Sequence, residues 1–404
     1  MVASAATTDA VLSVFPIGLS NGPPANGLAR VAAAGVNLIR TGRGDWNPAQ
    51  VAAQIAAEKA AFDTLHAHGL RAWLWLGELT NLPAQAGSDR ERALSRVADG
   101  LQGHPALAAY KGEDEPRNPF RGANWIRPAG LVRGYRRLKQ IDSEHPLVII
   151  QAPIGAPAQL RPYGPAFDIT GADIYPVSYP PGTHAQTANR DISVVGDITK
   201  KMVAVADGKP VWMTLQIVWS GVIPSQQSPG HVPRFPSLPS ERFMAYQAIV
   251  NGASGLVFVG GHLTEISPPD DAAAGWNWTF WEQVLRPVVA ELASPELAPA
   301  LAAPAANVPV RTSASGIELT VRRAGGFLYL IAVRRSGGVG RVKFIGLPAA
   351  ATDGVALFEY EQRPLPPPIV AGHQVFRRVG VADRSFSDWF ALHDAHVYRF
   401  PLPG

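Results

Sequence analysis

The chain has 404 residues, 47% of them hydrophobic and 17% charged, which suits a globular protein with a large core and excludes wholesale disorder. Its net charge of +4 is scattered, with no basic runs interleaved with aromatics, so nucleic acid is not an expected partner. The absence of cysteine removes disulfides, thiolate nucleophiles and cysteine-ligated metals, and no apolar run reaches the length of a membrane span.

The opening stretch MVASAATTDAVLSVFPIG lacks a basic segment followed by an apolar one, so no intact signal peptide is expected. From there to about residue 290, β-rich apolar runs alternate with helical patterns. A strand over 14–19 is followed by a helix over 25–34, a strand over 36–42 and an alanine-rich helix over 48–68, with His66 and His68 at its negative dipole end. The strand LRAWLWLGEL leads to a helix over 88–101, in which Ser88 and Glu91 have capping-box spacing. A short strand over 107–110 precedes a helix over 124–141, then come the strands PLVIIQAP and FDITGADIYPV and a helix over 192–206. The strand PVWMTLQIVW, a helix beginning at Ser240, the strand SGLVFVGG and a helix over 278–292 complete the series. Continuous apolar strands between helices mark a parallel sheet covered on both faces, and eight such units predict an α/β fold, a (β/α)8 TIM barrel. An open doubly wound sheet is the weaker alternative, because no glycine-rich phosphate fingerprint follows the first strand.

After residue 292 an Ala/Pro connector gives way to short alternating strands, which predicts a small all-β sandwich, read as a stabilising accessory domain packed on the barrel, with a binding module as the alternative. The expected division is a barrel over 1–297 and a sandwich over 298–404.

Barrels of this kind gather function at the C-terminal ends of their strands. Strand two delivers Arg40 and then Asp45 and Trp46; strand three, Glu78; strand four, Glu113, Asp114 and Glu115. Strand five ends in Gln151, strand six in Asp173 and Tyr175, strand seven in Gln216 and Trp219, and strand eight in His262 with Glu265 beyond it. Carboxylates, amides and rings arranged in this way suit a polyhydroxylated ligand, whereas a phosphate would call for glycine-rich turns and more positive charge. Structural readings stand beside these: a barrel salt bridge for Arg40, a turn cap for Asp173, a rim position for His262, and core packing for Trp73 and Trp75. The triplet Glu113-Asp114-Glu115 is the densest feature. Crowded carboxylates repel, so a partly dry site raises at least one pKa, and an acid protonated near neutral pH is what glycosidic cleavage requires. No His/Asp/Glu spacing points to a metal, no Gly-x-Ser-x-Gly elbow is present, and no cofactor is expected. The Pro/Ser/Gln-rich loop over 220–238 is read as a cleft wall or a subunit contact.

Asp114-Glu115-Pro116 after strand four resembles the Asn-Glu-Pro motif of the (β/α)8 retaining glycoside hydrolases, with Asp in the place of Asn. GADIYPV, KPVWMTLQ and PSERFMAYQAIVNGASGLVFVGG are similar to segments of poorly characterised bacterial glycosidase-like barrels, and FSDWFALHDAHVYRF to the sandwich that closes many of them. The resemblance implies hydrolysis of a glycosidic bond in an oligo- or polysaccharide by a secreted or periplasmic protein, with Glu115 as general acid/base. It also implies a strand-seven glutamate as nucleophile, where this chain has Gln216. Four readings follow. In the first, another carboxylate is recruited from Asp173, Glu78 and Glu113; in the second, Asp114 and Glu115 act as the Asp-Glu pair of hexosaminidase-type barrels on a self-attacking acetamido group; in the third, the glutamine is a designed substrate trap; in the fourth, the barrel binds carbohydrate without cutting it. Substrate contacts are expected from Arg40, Trp46, Glu78, Glu113, Gln151, Tyr175, Gln216, Trp219 and His262.

Overall fold

A computed structural model describes residues 13–402 apart from 43, 119–121, 123, 183, 185–186, 226–229 and 361–374. Eight parallel strands, β1 (Ile17–Leu19), β2 (Leu38–Thr41), β3 (Arg71–Trp75), β4 (Leu107–Lys111), β5 (Leu147–Gln151), β6 (Ile169–Ile174), β7 (Trp212–Gln216) and β8 (Gly255–Val259), close in sequence order into a barrel. β4, β5 and β7 are buried along their whole length, as expected of strands packed between a barrel interior and a helical shell.

The interior is filled rather than hollow. Leu38, Trp73, Val148, Ile150, Trp212 and Val257 belong to one inner cluster, in which Trp73 and Trp212 meet edge to face at 6.3 Å. Room for the Trp212 strand comes from Gly171, where a Cβ would lie 1.6 Å from the Trp212 carbonyl oxygen. Packing therefore fills the barrel axis between an apolar hollow of about 220 Å³ at the N-terminal end, lined by Pro16, Leu38, Arg71 and Trp212, and the polar C-terminal mouth, where barrels of this kind build their sites.

The outer layer includes α1 (Leu28–Ala34), α2 (Val51–Ala67), α3 (Asp89–Leu101), α4 (Pro128–Ile141), α5 (Val194–Ala206), α6 (Leu238–Val250) and α7 (Arg286–Ala293). Ser88 Oγ accepts from the Glu91 N–H at 3.2 Å and so caps α3 as its sequence predicts. After β5 the prolines at 157, 162 and 165 restrict the crossover to a four-residue helix and a 3-10 segment.

β9 (Arg311–Thr312), β10 (Ile317–Ala324), β11 (Phe327–Arg334), β12 (Gly340–Ile345), β13 (Gly354–Tyr360), β14 (Phe376–Val379), β15 (Ser385–Phe390) and β16 (Ala395–Pro401) form two antiparallel sheets, ordered β10-β11-β16-β13-β14 and β15-β12-β9. β11 departs from the alternation expected of a sandwich strand. Leu328, Leu330 and Ala332 face the sandwich core, while Tyr329, Ile331 and Val333 join the core that runs into the barrel helices. A sheet covered on both sides needs apolar residues at every position, which is why FLYLIAV reads as a continuous run. Polar pins flank this seam: Glu318 receives Lys200 at 2.6 Å and the Gln247 amide at 2.9 Å, and Arg335 reaches Asp197 at 2.8 Å. Among the described residues no helix is long and apolar enough to cross a membrane.

In the first turn of α6, Glu241 is 0% exposed, and neither of its carboxyl oxygens has a partner among the described residues. Burial without a counter-charge pushes its pKa well up, so the folded state holds it protonated. A raised folded pKa gives full stability below the unfolded value of about 4.3 and progressive loss as pH rises toward the folded value. Glu241→Met should therefore stabilise the protein by about 1–3 kcal/mol, and denaturant unfolding should show a larger gain at pH 8 than at pH 5. A variant less stable than the parent at pH 8 would contradict this account.

Candidate active site

β4 ends in Lys111, 2% exposed, a residue type that tolerates such burial only with a partner. Its ammonium lies 2.5 Å from Asp114 Oδ1 and 4.5 Å from the Trp75 ring. Arg40, at the end of β2, places its guanidinium 4.6 Å from the same ring and donates to Asn21 Oδ1 at 2.8 Å. An indole thus carries two cations at the barrel mouth, and burial lowers both of their pKa values while the Asp114 charge opposes the drop.

The chain turns sharply after Asp114. Glu115 sits at φ +43°, a conformation seldom taken by residues other than glycine, and its N–H donates to the Ile150 carbonyl at 2.9 Å. Its carboxylate accepts from the Asn118 amide and meets the carboxyl of Asp173, which β6 projects into the same space. Burial and then the charges of Glu115 and Asp114 hold Asp173 well above the usual carboxylate range. Glu115 is also raised, by burial first, with the hydrogen bond from Asp173 partly offsetting it. Two carboxyls in hydrogen-bond contact titrate as a pair and retain one proton between them. Below them a cavity of about 70 Å³ is lined by Ser20, Arg40, Trp73, Lys111 and Thr214.

An aromatic wall stands over the pair. Tyr175 is buried, its phenol pushed upward by burial and by the Asp173 charge. His184 packs 4.3 Å from the Tyr175 ring and 5.2 Å from Trp219, which in turn neighbours His231 at 5.9 Å. Burial drops the His184 pKa to about 4, so the imidazole is neutral. Donor atoms of Glu115, Asp173 and His184 all lie within 4.8 Å of one another, a grouping that the sequence spacing did not reveal. Such donors could hold a divalent cation, but Lys111 and Arg40 already supply positive charge beside them. A second grouping, Glu359, Asp388 and His396 in the sandwich, is threaded by Arg377 at 2.6 and 2.5 Å, which fills the place of a cation.

The remaining candidates scatter. Gln216 is 0% exposed and spends its amide on Val177, donating to the carbonyl at 2.9 Å and accepting from the N–H at 2.7 Å. Gln151 is buried, and it is Ile150, pointing the other way, that lines the cavity. Glu113 is buried, with its N–H on Thr80 Oγ1 at 3.2 Å. Trp46 donates to the Trp75 carbonyl at 2.9 Å, beside exposed Asp45. Glu78 lies exposed next to Arg90 at 3.4 Å, and Glu265 holds Ser225 at 2.9 Å. His262 stands on the rim, where desolvation and the Arg40 charge hold its pKa down at about 4. Lys111, His184 and Asn118 escaped the sequence reading, and Trp75, read there as core, forms the base of the cation pair. The only signal for Lys111 was a charge closing the apolar strand LAAYK.

No family model matches the chain, and no curated protein matches it. Solved structures do. An α-amylase from Anoxybacillus aligns with a TM-score of 0.57 at 12% identity, over 98% of this chain and 99% of its own. A glycoside hydrolase family 5 protein from Bacteroides vulgatus gives 0.57 at 10%, over 96% and 89%. A glycoside hydrolase family 30 subfamily 8 xylanase from Clostridium acetobutylicum gives 0.52 at 11%, over 96% of both. At such identities the likeness establishes the fold, a TIM barrel followed by a β-sandwich.

The two ends of the Lys111–Asp114 pair differ in exposure, 3% against 42% for the side chains. Asp114→Ala strands a buried ammonium and should cost about 3–5 kcal/mol. Lys111→Met leaves a carboxylate that water can reach and should cost less than half of that. Denaturant unfolding of both variants checks the order; equal losses would mean that the pair is not a buried interaction.

Proposed function

We propose that the protein hydrolyses a glycosidic bond in an oligo- or polysaccharide, with Glu115 as proton donor and Asp173 as its carboxylate partner. The contact between these two carboxyls carries the reading, since it supplies one retained proton and one negative charge at the open end of a barrel. Half-buried Trp219 offers a ring for sugar C–H groups, buried Tyr175 backs the wall beneath His184, and Arg40 and His262 offer polar atoms at the rim. The fold shared with glycoside hydrolases supports the same conclusion. A polymeric substrate, unable to cross a membrane unaided, would place the enzyme outside the cytoplasm.

Donor atoms of the two carboxyls lie within 4.8 Å of each other, which is nearer the ~5–5.5 Å of retaining pairs than the ~6.5–9.5 Å of inverting ones. In the resting contact Asp173 donates to Glu115; as the sugar enters, that proton passes to Glu115, so that the Asp173 carboxylate attacks the anomeric carbon while Glu115 protonates the leaving oxygen, then activates the water that releases the sugar. Retention of configuration in the first-formed product, followed by NMR, is the expected stereochemistry; inversion would give Asp173 the role of base. Binding without turnover is the second reading, favoured by the fully engaged amide of Gln216.

A reducing-sugar screen over polysaccharides separates the two. Glu115→Gln should lower kcat by at least about a hundredfold on any glycan that is cut. A loss below tenfold would remove Glu115 from the chemistry, and tight binding with no hydrolysis of any glycan would favour the binder.

The pH profile offers an independent check. The donor must be protonated, so activity falls as pH rises through the upper pKa of the pair. The Asp114 charge raises both carboxyls. Asp114→Asn removes that charge, eases ionisation and should move the alkaline limb of kcat/KM to lower pH; an unmoved or upward-shifted limb would separate that limb from the pair.

A further inference from the structure

Beside the mouth lies an open groove of about 750 Å³ whose lining includes Arg90, Trp125, Arg127 and Arg133. It runs between the segment that follows β3 and the segment that leads into α4, both on the C-terminal side of the barrel, where substrate-contacting loops lie. The Ile126 N–H donates to the Pro116 carbonyl at 2.8 Å, so one wall is tied directly to the loop that carries Glu115.

The groove is cationic. Asp89 is the acidic lining residue, and it is engaged by Arg92. Arg90 and Arg133 are anchored, donating to the carbonyls of Asn81 at 2.8 Å and of Pro83 at 2.9 Å. Arg127 differs: it is exposed, lies 5.0 Å from the Trp125 ring, and makes no hydrogen bond among the described residues. Arg117 lies 4.9 Å from the same indole. A guanidinium braced on an indole, with its donor fork still available, is prepared for a two-oxygen anion.

Resting on the hydrolase reading, we infer that this groove binds an acidic sugar unit, a uronate carboxylate or a sulfate ester, on the chain being cut. The anion pairs with Arg127 while the next sugar enters the mouth.

Affinity electrophoresis in gels containing polygalacturonate or its methyl ester, and dextran sulfate or dextran, tests this with the 404-residue chain. The charged member of at least one pair should retard the protein at least about tenfold more strongly than its neutral counterpart, and whichever pair responds identifies carboxylate or sulfate. Arg127→Glu should abolish the difference, whereas Arg323→Glu, the same charge change on an exposed sandwich residue, should leave it intact. Retardation equal within both pairs, absent from all gels, or reduced equally by both substitutions would overturn the inference. Circular dichroism of each variant confirms folding. Assaying the parent for hydrolysis of the same glycans keeps the two readings apart: charge-selective binding without hydrolysis sinks the catalytic assignment alone, and hydrolysis without charge-selective binding sinks the groove alone.

Discussion

The mouth of the barrel is governed by a charge imbalance. Lys111 and Arg40 bring two positive charges; Asp114, Glu115 and Asp173 would bring three negative ones if all were ionised. In a pocket walled by Trp73, Trp75 and Tyr175 the half-buried carboxyls are only partly solvated, and the cheapest remedy for the excess is one proton kept on the contacting pair. The cations select where that proton goes. Asp114 is neutralised by the buried ammonium, so the raised affinity for a proton falls on Glu115 and Asp173.

Packing fixes this arrangement from below. Trp73 and Trp212 fill the interior and Gly171 lets the strands close around them, so the side chains above have no room to sink. Lys111 remains buried because Trp75 and Asp114 meet its head group, and the strain at Glu115 is held by a backbone bond to β5. The sandwich works at a distance. Its β11 face shares a core with the helices behind β7 and β8, steadying the shell rather than touching the site.

Much of this was legible in the sequence, for a physical reason. Strands buried on both faces must be apolar throughout, so the β/α rhythm and the burst of carboxylates after LAAY could be read directly. Pairing in space could not. Asp173 and Glu115 are separated by two strands' worth of chain, and no periodicity announces that β4 and β6 aim at one point. Lys111 was missed because a lysine ending a strand reads as its exposed edge, and Trp75 because an alternating Trp-Leu strand reads as packing on both faces. His184, in a loop, has no periodicity to place it. The sandwich strand β11 misled in the opposite direction, since alternation presumes a wet face that the barrel helices cover.

Gln216 shows how a strand end can serve a site without entering it. Its amide satisfies both backbone groups of Val177, fixing the chain just past Tyr175. Two residues further on, the Tyr179 carbonyl accepts from the Val232 N–H at 3.1 Å, joining the loop after β6 to the loop after β7. Tyr175 and His184 come from the first of these loops, Trp219 and His231 from the second, so the wall above the carboxyl pair exists only while both are held. A glutamate at position 216 could accept from the Val177 N–H but would set its other oxygen against the Val177 carbonyl, and this wall would lose its anchor. The amide therefore fits the scaffold built around it, and at the mouth the carboxyl that meets Glu115 is the one β6 supplies, Asp173.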